Sequence, residues 1–358
     1  MKQYIFSALC LVSGAFCLSS CNDDKEARPY TPDYEIVPEY TNADTWKAYE
    51  AFNEHLLDQN KFIYKSSTAD KAAVDRWNGA AAIWCQPTYW DMAMNAYKRA
   101  KAEGDTQKEQ KFKQLCDFDD NNENTGWFIY DDIMWWTVTL ARAYELFGVE
   151  EYLSLSEESF GRVWYGSEKV GDTGSYADPE KGLGGGMFWQ WQPIKNPNPN
   201  EADHGKMACI NFPTVVAALT LYNNVPTGRT ESTDSHPSYQ TKEQYLAKGK
   251  EIYAWAVENL VDVTTGQVAD SRHGNGNPAW KDHVYNQASY IGASVLLYKA
   301  TGEKQYLDNA VMAADYTMNT ISGTFDLLPF ETGAEQGIYT AVFAQYIAML
   351  VYDCDQTQ

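Results

Sequence analysis

The sequence predicts an all-α domain assembled from helical hairpins, and three observations predict it. Apolar residues recur at helical spacing through most of the 358-residue chain. Runs that alternate as strands do are scarce. One pattern also repeats: a helix ends in an aromatic residue, a Gly-containing turn follows, and Tyr-Leu opens the next helix. "ARAYELFGVEEYLSLSEESF" resembles "VLLYKATGEKQYLDNAVMAA", with Tyr144 and Tyr152 spaced as Tyr298 and Tyr306 are. "LTLYNNV" followed by "TKEQYLAKGKEIYAWAV" is a third copy with a longer loop. Glycine at a helix C-terminus supplies the left-handed residue that ends it, so the repeated unit is a hairpin. Such hairpins can form a bundle, a solenoid or a closed α/α toroid.

The elements follow in order. Residues 1–20 read as a lipoprotein signal peptide: Lys2, an apolar run too short to span a membrane, then Leu18-Ser19-Ser20 before Cys21, the expected lipidated residue. The acidic "NDDKE" after it resembles a tag that directs Gram-negative lipoproteins outward, which places the chain in the outer membrane, lipid-anchored, at the cell surface. An ordinary secretory leader is the plainer alternative. Residues 21–43 are polar, with three prolines among them, and read as a tether. The catalytic domain is expected over 44–355. It opens with "DTWKAYEAFNEHLLDQN", where Trp46, Tyr49, Phe52 and Leu56 keep a helical spacing. Further helices are expected near 80–103, 105–118, 130–148, 149–164, 208–223, 241–261, 283–300, 303–320 and 334–353.

Two irregular stretches interrupt them, 166–206 and 263–283, both rich in Gly, Pro and Asn. Loops this long are usually functional or disordered. Trp189, Trp191 and Trp280 lie inside them, which favours ordered loops lining a cleft over a packed aromatic rim.

Composition narrows the partners. The net charge of −21 repels phosphate polymers and argues against nucleic acid, while neutral carbohydrate is compatible. Twelve Trp and 25 Tyr give a surface on which the C–H faces of sugars can stack, although most of these rings serve the core. Beyond the leader and Cys21, the cysteines are Cys85, Cys116, Cys209 and Cys354. Their wide spacing is neither a zinc motif nor a dense disulfide framework. The turn "DFDDNNENTG" lacks the central Gly and terminal Glu of an EF-hand loop, so no metal and no cofactor is assigned.

The chemistry is expected at "YDDIMWW", Tyr130 to Trp136. The chain has three Asp-Asp pairs. Asp23-Asp24 lies in the tether and Asp119-Asp120 in a solvated turn. Asp131-Asp132 alone is bracketed by aromatics, Phe128, Tyr130, Trp135 and Trp136. Helix capping explains acids at a helix start with no chemistry at all. It does not explain the enclosure. Trp135 is placed to share a helix face with both acids. Desolvation and a like-charged neighbour both raise a carboxyl pKa. Such a pair can keep one acid protonated and one ionised, as glycoside hydrolysis requires. Adjacent residues also suit the short carboxyl separation of a retaining enzyme, about 5–5.5 Å.

With these residues the chain resembles glycoside hydrolase family 76, the endo-α-1,6-mannanases, roughly from Trp77 to Tyr352. "YDDIMWWTVTLARAYELFG" is similar to the family's Y-D-D-x-x-W-W motif and "VYNQASYIGASVLLYKATGEKQYLDNA" to its Y-N-Q segment. "IWCQPTYWDMAMNAYKRA", "GGGMFWQW" and "GKMACINFPTVVAALTLY" resemble the intervening blocks. The resemblance implies an (α/α)6 barrel and retaining, internal cleavage of α-1,6-mannan. It implies Asp131 as nucleophile and Asp132 as general acid/base, with Asn286 and Gln287 beside the cleft. Tyr130, Trp135 and Trp189 are the other residues expected to bind substrate, with Trp136 in place of Trp135, or core packing of both, as the alternatives. For Asn286 and Gln287 helix capping and loop bracing are the alternatives. The chain departs from the pattern at Ala288, where the family often has Gly. It departs again at "EQGIY", where Gln336 replaces a lysine and no arginine follows. Two other functions fit the same residues: α-mannan transglycosylation, in which a sugar rather than water accepts the intermediate, and a mannan-binding surface lipoprotein with little turnover.

Overall fold

In a computed structural model the described residues are 41–73, 84–115, 129–168, 171–190, 205–230, 239–323, 327–329, 331, 335 and 337–356. The leader and nearly all of the tether, Cys21 included, lie outside them, as do Cys116, Asp119-Asp120, Trp191 and Gln336. The chain divides into two units, 1–54 and 55–358. Of the first, the described part is most of α1 (Asn42–Leu56). Thr41 and Asp44 start it as a reciprocal cap, Asp44 N–H donating to Thr41 Oγ1 at 3.3 Å and Thr41 N–H to Asp44 Oδ2 at 3.1 Å.

The second unit begins with a small antiparallel hairpin, β1 (Leu57–Asp58) and β2 (Ile63–Tyr64). Helices follow in pairs: α2 (Cys85–Glu103) with α3 (Thr106–Leu115), α4 (Tyr130–Phe147) with α5 (Glu150–Tyr165), α6 (Ala208–Asn224) with α7 (Lys242–Leu260), and α8 (Val284–Thr301) with α9 (Lys304–Tyr316), before a last helix α10 (Ile338–Asp353). The even-numbered helices form the inner set. Each packs on the next, and α10 returns to α2. α4, α6 and α8 are rich in apolar residues and buried along most of their length, as enclosed helices are. α7 shows the outer pattern: Tyr245, Gly249, Ile252, Tyr253, Ala256 and Leu260 form one buried stripe.

The repeat read from the sequence is physical. Gly148 and Gly302 both take left-handed φ, at 68° and 73°, and each N–H closes on the carbonyl of the aromatic four residues back, Tyr144 or Tyr298, at 2.7 Å. The third copy ends differently, at Val225 in extended backbone.

Three boundaries differ from expectation. α2 starts at Cys85 rather than near 80, the residues before Trp84 lying outside those described. α9 stops at Tyr316 and the chain continues as a π turn over Thr317–Ile321. α10 starts at Ile338, not 334, because Gly337 sits at φ 85°, outside helical geometry.

Strand pairing fixes one end of this unit. β3 (Gly205–Met207) and β4 (Ser271–His273) pair antiparallel, Lys206 opposite Arg272. Trp189 N–H donates to Gly205 O at 3.0 Å, and Tyr130 N–H donates to Trp189 O at 3.0 Å. The loop 175–190, β3 and the start of α4 are thereby knitted together. Ala208 N–H donates to Asp270 O at 2.9 Å, which ties the start of α6 to β4's approach. The N-terminal ends of α4, α6 and α8 converge on this layer.

Candidate active site

Asp131 and Asp132 stand at this end, in the first turn of α4. The residue at the cap position is Ile129, whose side chain makes no capping bond. Neither acid is the cap residue: they occupy the second and third helical positions, each about 8% exposed, and the backbone N–H groups of Asp131 and Asp132 favour the ionised Asp131 carboxyl. The helix dipole favours anions there. Burial opposes it and dominates for Asp131, whose carboxyl is pushed up to about 7. The Cys209 thiol and the Trp189 side chain favour its ionised form more weakly. Asp131 Oδ1 is buried with no hydrogen-bond partner.

The surroundings come from four other helix starts, those of α2, α6, α8 and α10, and from the segment just before β4. Cys209, in the first turn of α6, has its thiol raised by burial and then by the charge of Asp131. Asp270, just before β4, adds its charge to the same thiol. Asn286 Nδ2 donates to Asp270 Oδ1 at 3.4 Å, and His283 Nε2 lies 3.7 Å from the same oxygen. Burial holds His283 below the usual imidazole range against the opposing pull of Asp270. Trp84, Trp135, Tyr285 and Tyr339 form an aromatic cluster: Trp84 lies 6.4 Å from Trp135, 6.1 Å from Tyr285 and 6.2 Å from Tyr339, and the two tyrosines are 4.1 Å apart.

The residues singled out in the sequence divide. Asp131, Asp132, Trp135, Trp189 and Asn286 share this neighbourhood. Trp135 is buried with its indole N–H unpartnered, and Asn286 Oδ1 is likewise unpartnered. Tyr130 is spent on support: its hydroxyl donates to Asp172, which is also ion-paired with Arg162 and accepts from Gly174 N–H at 2.9 Å. Gln287 is fully buried, and its amide braces the loop before β4, accepting from Val268 N–H at 2.5 Å and donating to Gly266 O at 2.9 Å. That is the loop-bracing alternative. Trp280 is 47% exposed and has no aromatic partner among the described rings.

Sequence reasoning passed over Asp270, His283, Cys209, Tyr285, Trp84, Tyr339 and Glu335. Cys209 and Tyr285 lie inside quoted motifs, two residues after Met207 and directly before Asn286. Asp270 sits in an irregular segment with no periodic signal, while Glu335 falls inside the helix expected over 334–353 and the quoted "EQGIY". Lys206 is a further case. Its ammonium donates to Leu183 O at 2.7 Å and Gly185 O at 2.5 Å, between the rings of Phe188 and Trp255. Burial, aided by the charge of Arg272, lowers its pKa to about 8. It fastens the glycine loop 184–186, whose backbone lies against Trp255 so closely that a Cβ on Gly186 would fall 2.5 Å from the indole.

Comparison with known proteins places this arrangement. The profile of glycosyl hydrolase family 76 matches residues 41–357. No curated protein matches the chain. Among solved structures, a protein of Listeria innocua superposes with a TM-score of 0.64 at 20% identity, covering 87% of this chain and 79% of that one. An inactive variant of the alpha-1,6-mannanase of Salegentibacter sp. HEL1_6, two adjacent aspartates replaced by alanine, is in complex with alpha-1,6-mannotetrose; it gives 0.63 at 22% identity, covering 86% and 79%. A family 76 mannosidase of Bacteroides thetaiotaomicron gives 0.60 at 16% identity, covering 88% and 82%. At these identities the likeness establishes the fold, the all-α (α/α)6 barrel of hairpins expected above.

Proposed function

The chain belongs to glycosyl hydrolase family 76, and from that premise we propose that it is an exported, retaining endo-α-1,6-mannanase. One observation carries the proposal. The aromatic-bracketed aspartate pair lies buried in the first turn of an enclosed helix, with one carboxyl held near neutrality. A polar pair with no catalytic use would be costly to bury in this way. The two adjacent aspartates replaced in the inactive Salegentibacter mannanase support the same assignment.

In the proposed reaction Asp131, ionised, attacks the anomeric carbon of a mannose unit. The glycosidic C–O bond breaks as Asp132 gives its proton to the leaving oxygen. The ester on Asp131 is then released by water, whose proton goes to Asp132, and both residues return to their starting states. Burial makes the Asp131 carboxylate a stronger base than an exposed one, and the cationic character of the transition state relieves its desolvation. The aromatic cluster of Trp84, Trp135, Tyr285 and Tyr339 offers faces for sugar C–H surfaces, and Asn286 with Asp270 offers hydrogen bonds to hydroxyls.

A debranched, linear α-1,6-mannan tests the reading: the protein is expected to release manno-oligosaccharides of mixed length. Release of mannose alone would make it exo-acting, and no release by folded protein would refute it. The anchored location is tested separately. Cys21→Ser should abolish incorporation of labelled fatty acid and move the protein out of the membrane fraction. Unchanged labelling would overturn the lipid anchor.

A further inference from the structure

Glu335 has no part in the reaction above, yet it is tied to the same cluster from the far end of the chain. Its Oε1 accepts from Trp84 Nε1 at 3.2 Å and its Oε2 from Tyr339 Oη at 3.3 Å. A carboxylate has about four acceptor positions, so each oxygen keeps capacity for a ligand hydroxyl. The ring it holds, Trp84, packs on Trp135, whose indole N–H is a buried donor without an acceptor. The charge of Glu335 is felt at Cys85 together with that of Asp132, and at His283 together with that of Asp270. Four carboxylates, Asp131, Asp132, Asp270 and Glu335, thus border one aromatic patch.

Positive charge nearby is committed elsewhere or exposed. Arg142 pairs with Asp91, Arg162 with Asp172 and Arg229 with Glu157, while Arg272 donates to Gly276 O and Asn259 Oδ1. Lys206 is held by backbone carbonyls. Lys281, beside His283, is exposed. Gln336, next in sequence to Glu335, stands where the family resemblance expects a lysine.

We propose that Glu335 is a specificity-determining residue: it binds mannose hydroxyls beside the Trp84–Tyr339 rings and rejects mannan that carries phosphate near the bond to be cut. The inference rests on the proposed mannanase activity and names the substrate class that site accepts, uncharged chains. A phosphate dianion brought to this patch meets like charge on several sides, and among the described residues Arg142, Arg162, Arg229 and Arg272 each have their guanidinium engaged by protein groups.

The test compares α-1,6-mannotetraose with the same tetrasaccharide phosphorylated at its terminal 6-hydroxyl. Wild type should cleave the phosphorylated form with kcat/KM at least about 10-fold lower at low salt, and the gap should shrink as salt rises. Glu335→Gln should narrow that gap by about 3- to 10-fold and raise KM for the neutral tetraose, with kcat changed less than about 2-fold. Glu335→Asp, which keeps the charge, should keep the discrimination and also controls for folding. Equal cleavage of both sugars by wild type, or a gap unchanged in Glu335→Gln, would overturn the inference and leave the mannanase reading intact. Failure of wild type to cleave the neutral tetraose would overturn both.

Discussion

At the scale of single residues, the account turns on Asp131. Its pKa in the fold, about 7, lies above the ordinary 3.8 because burial penalises the charge. Two predictions follow from the sign of that shift. A nucleophile must be ionised, so kcat/KM should fall about tenfold per pH unit below about 7. If Asp131 were instead the proton donor, the loss would come on the alkaline side, and the pH profile separates the two roles. The second prediction concerns stability. Between pH 3.8 and about 7 the folded state binds the extra proton, so this group's contribution to stability falls as pH rises through that window and is flat above it. The cost is at most about 4 kcal/mol at pH 8. Asp131→Asn removes it: the variant should melt several degrees higher than wild type at pH 8 and no higher at pH 4, while losing activity by about 10⁴-fold. A melting point unchanged at pH 8 would show that the carboxylate is not desolvated.

At the scale of elements, the carboxylates are held by what joins the helices. Asn211, fully buried in α6, accepts from Met187 N–H at 2.9 Å and donates to Met187 O at 3.2 Å and Met207 O at 2.8 Å. It clamps the glycine loop two residues before Trp189, whose carbonyl receives the first N–H of α4. Asn211→Ala strands buried backbone groups and should cost about 2–4 kcal/mol by chemical denaturation. It should also lower kcat about 10-fold by loosening the start of α4. Gly186→Ala should act through the same loop, because its φ of 73° and the nearby Trp255 ring both oppose a Cβ. The destabilisation expected is about 1–3 kcal/mol. Loss of either variant's stability without loss of kcat would detach the loop from catalysis. The helices and the hairpin repeat were legible in the sequence because a 3.6-residue period and a C-terminal glycine are local signals. The pairing of β3 with β4 was not, since three-residue strands inside a polar loop have no period to read. Asp270 was hidden for the same reason, whereas Glu335 was read as part of the helix expected from 334, which starts only at Ile338. Tyr130 and Gln287 show the converse. Their motif was legible, but a motif does not say whether a polar side chain meets substrate or braces backbone, and here both are used for bracing.

At the scale of the whole molecule, the fold, the family and the charge point the same way. The inner helices bring their N-termini to one end, and that end carries the buried acids, the aromatic cluster and the loops. A net charge of −21 on the chain suits a neutral polymer and opposes an anionic one. The central claim is that this end cleaves α-1,6-mannan through Asp131. Product analysis on linear α-1,6-mannan, with the anomer followed by proton NMR during the first turnovers, tests it most directly. The account predicts manno-oligosaccharides whose new reducing ends form first as the α-anomer for wild type, and none for folded Asp131→Asn. Products formed first as the β-anomer, or undiminished cleavage by Asp131→Asn, would contradict it.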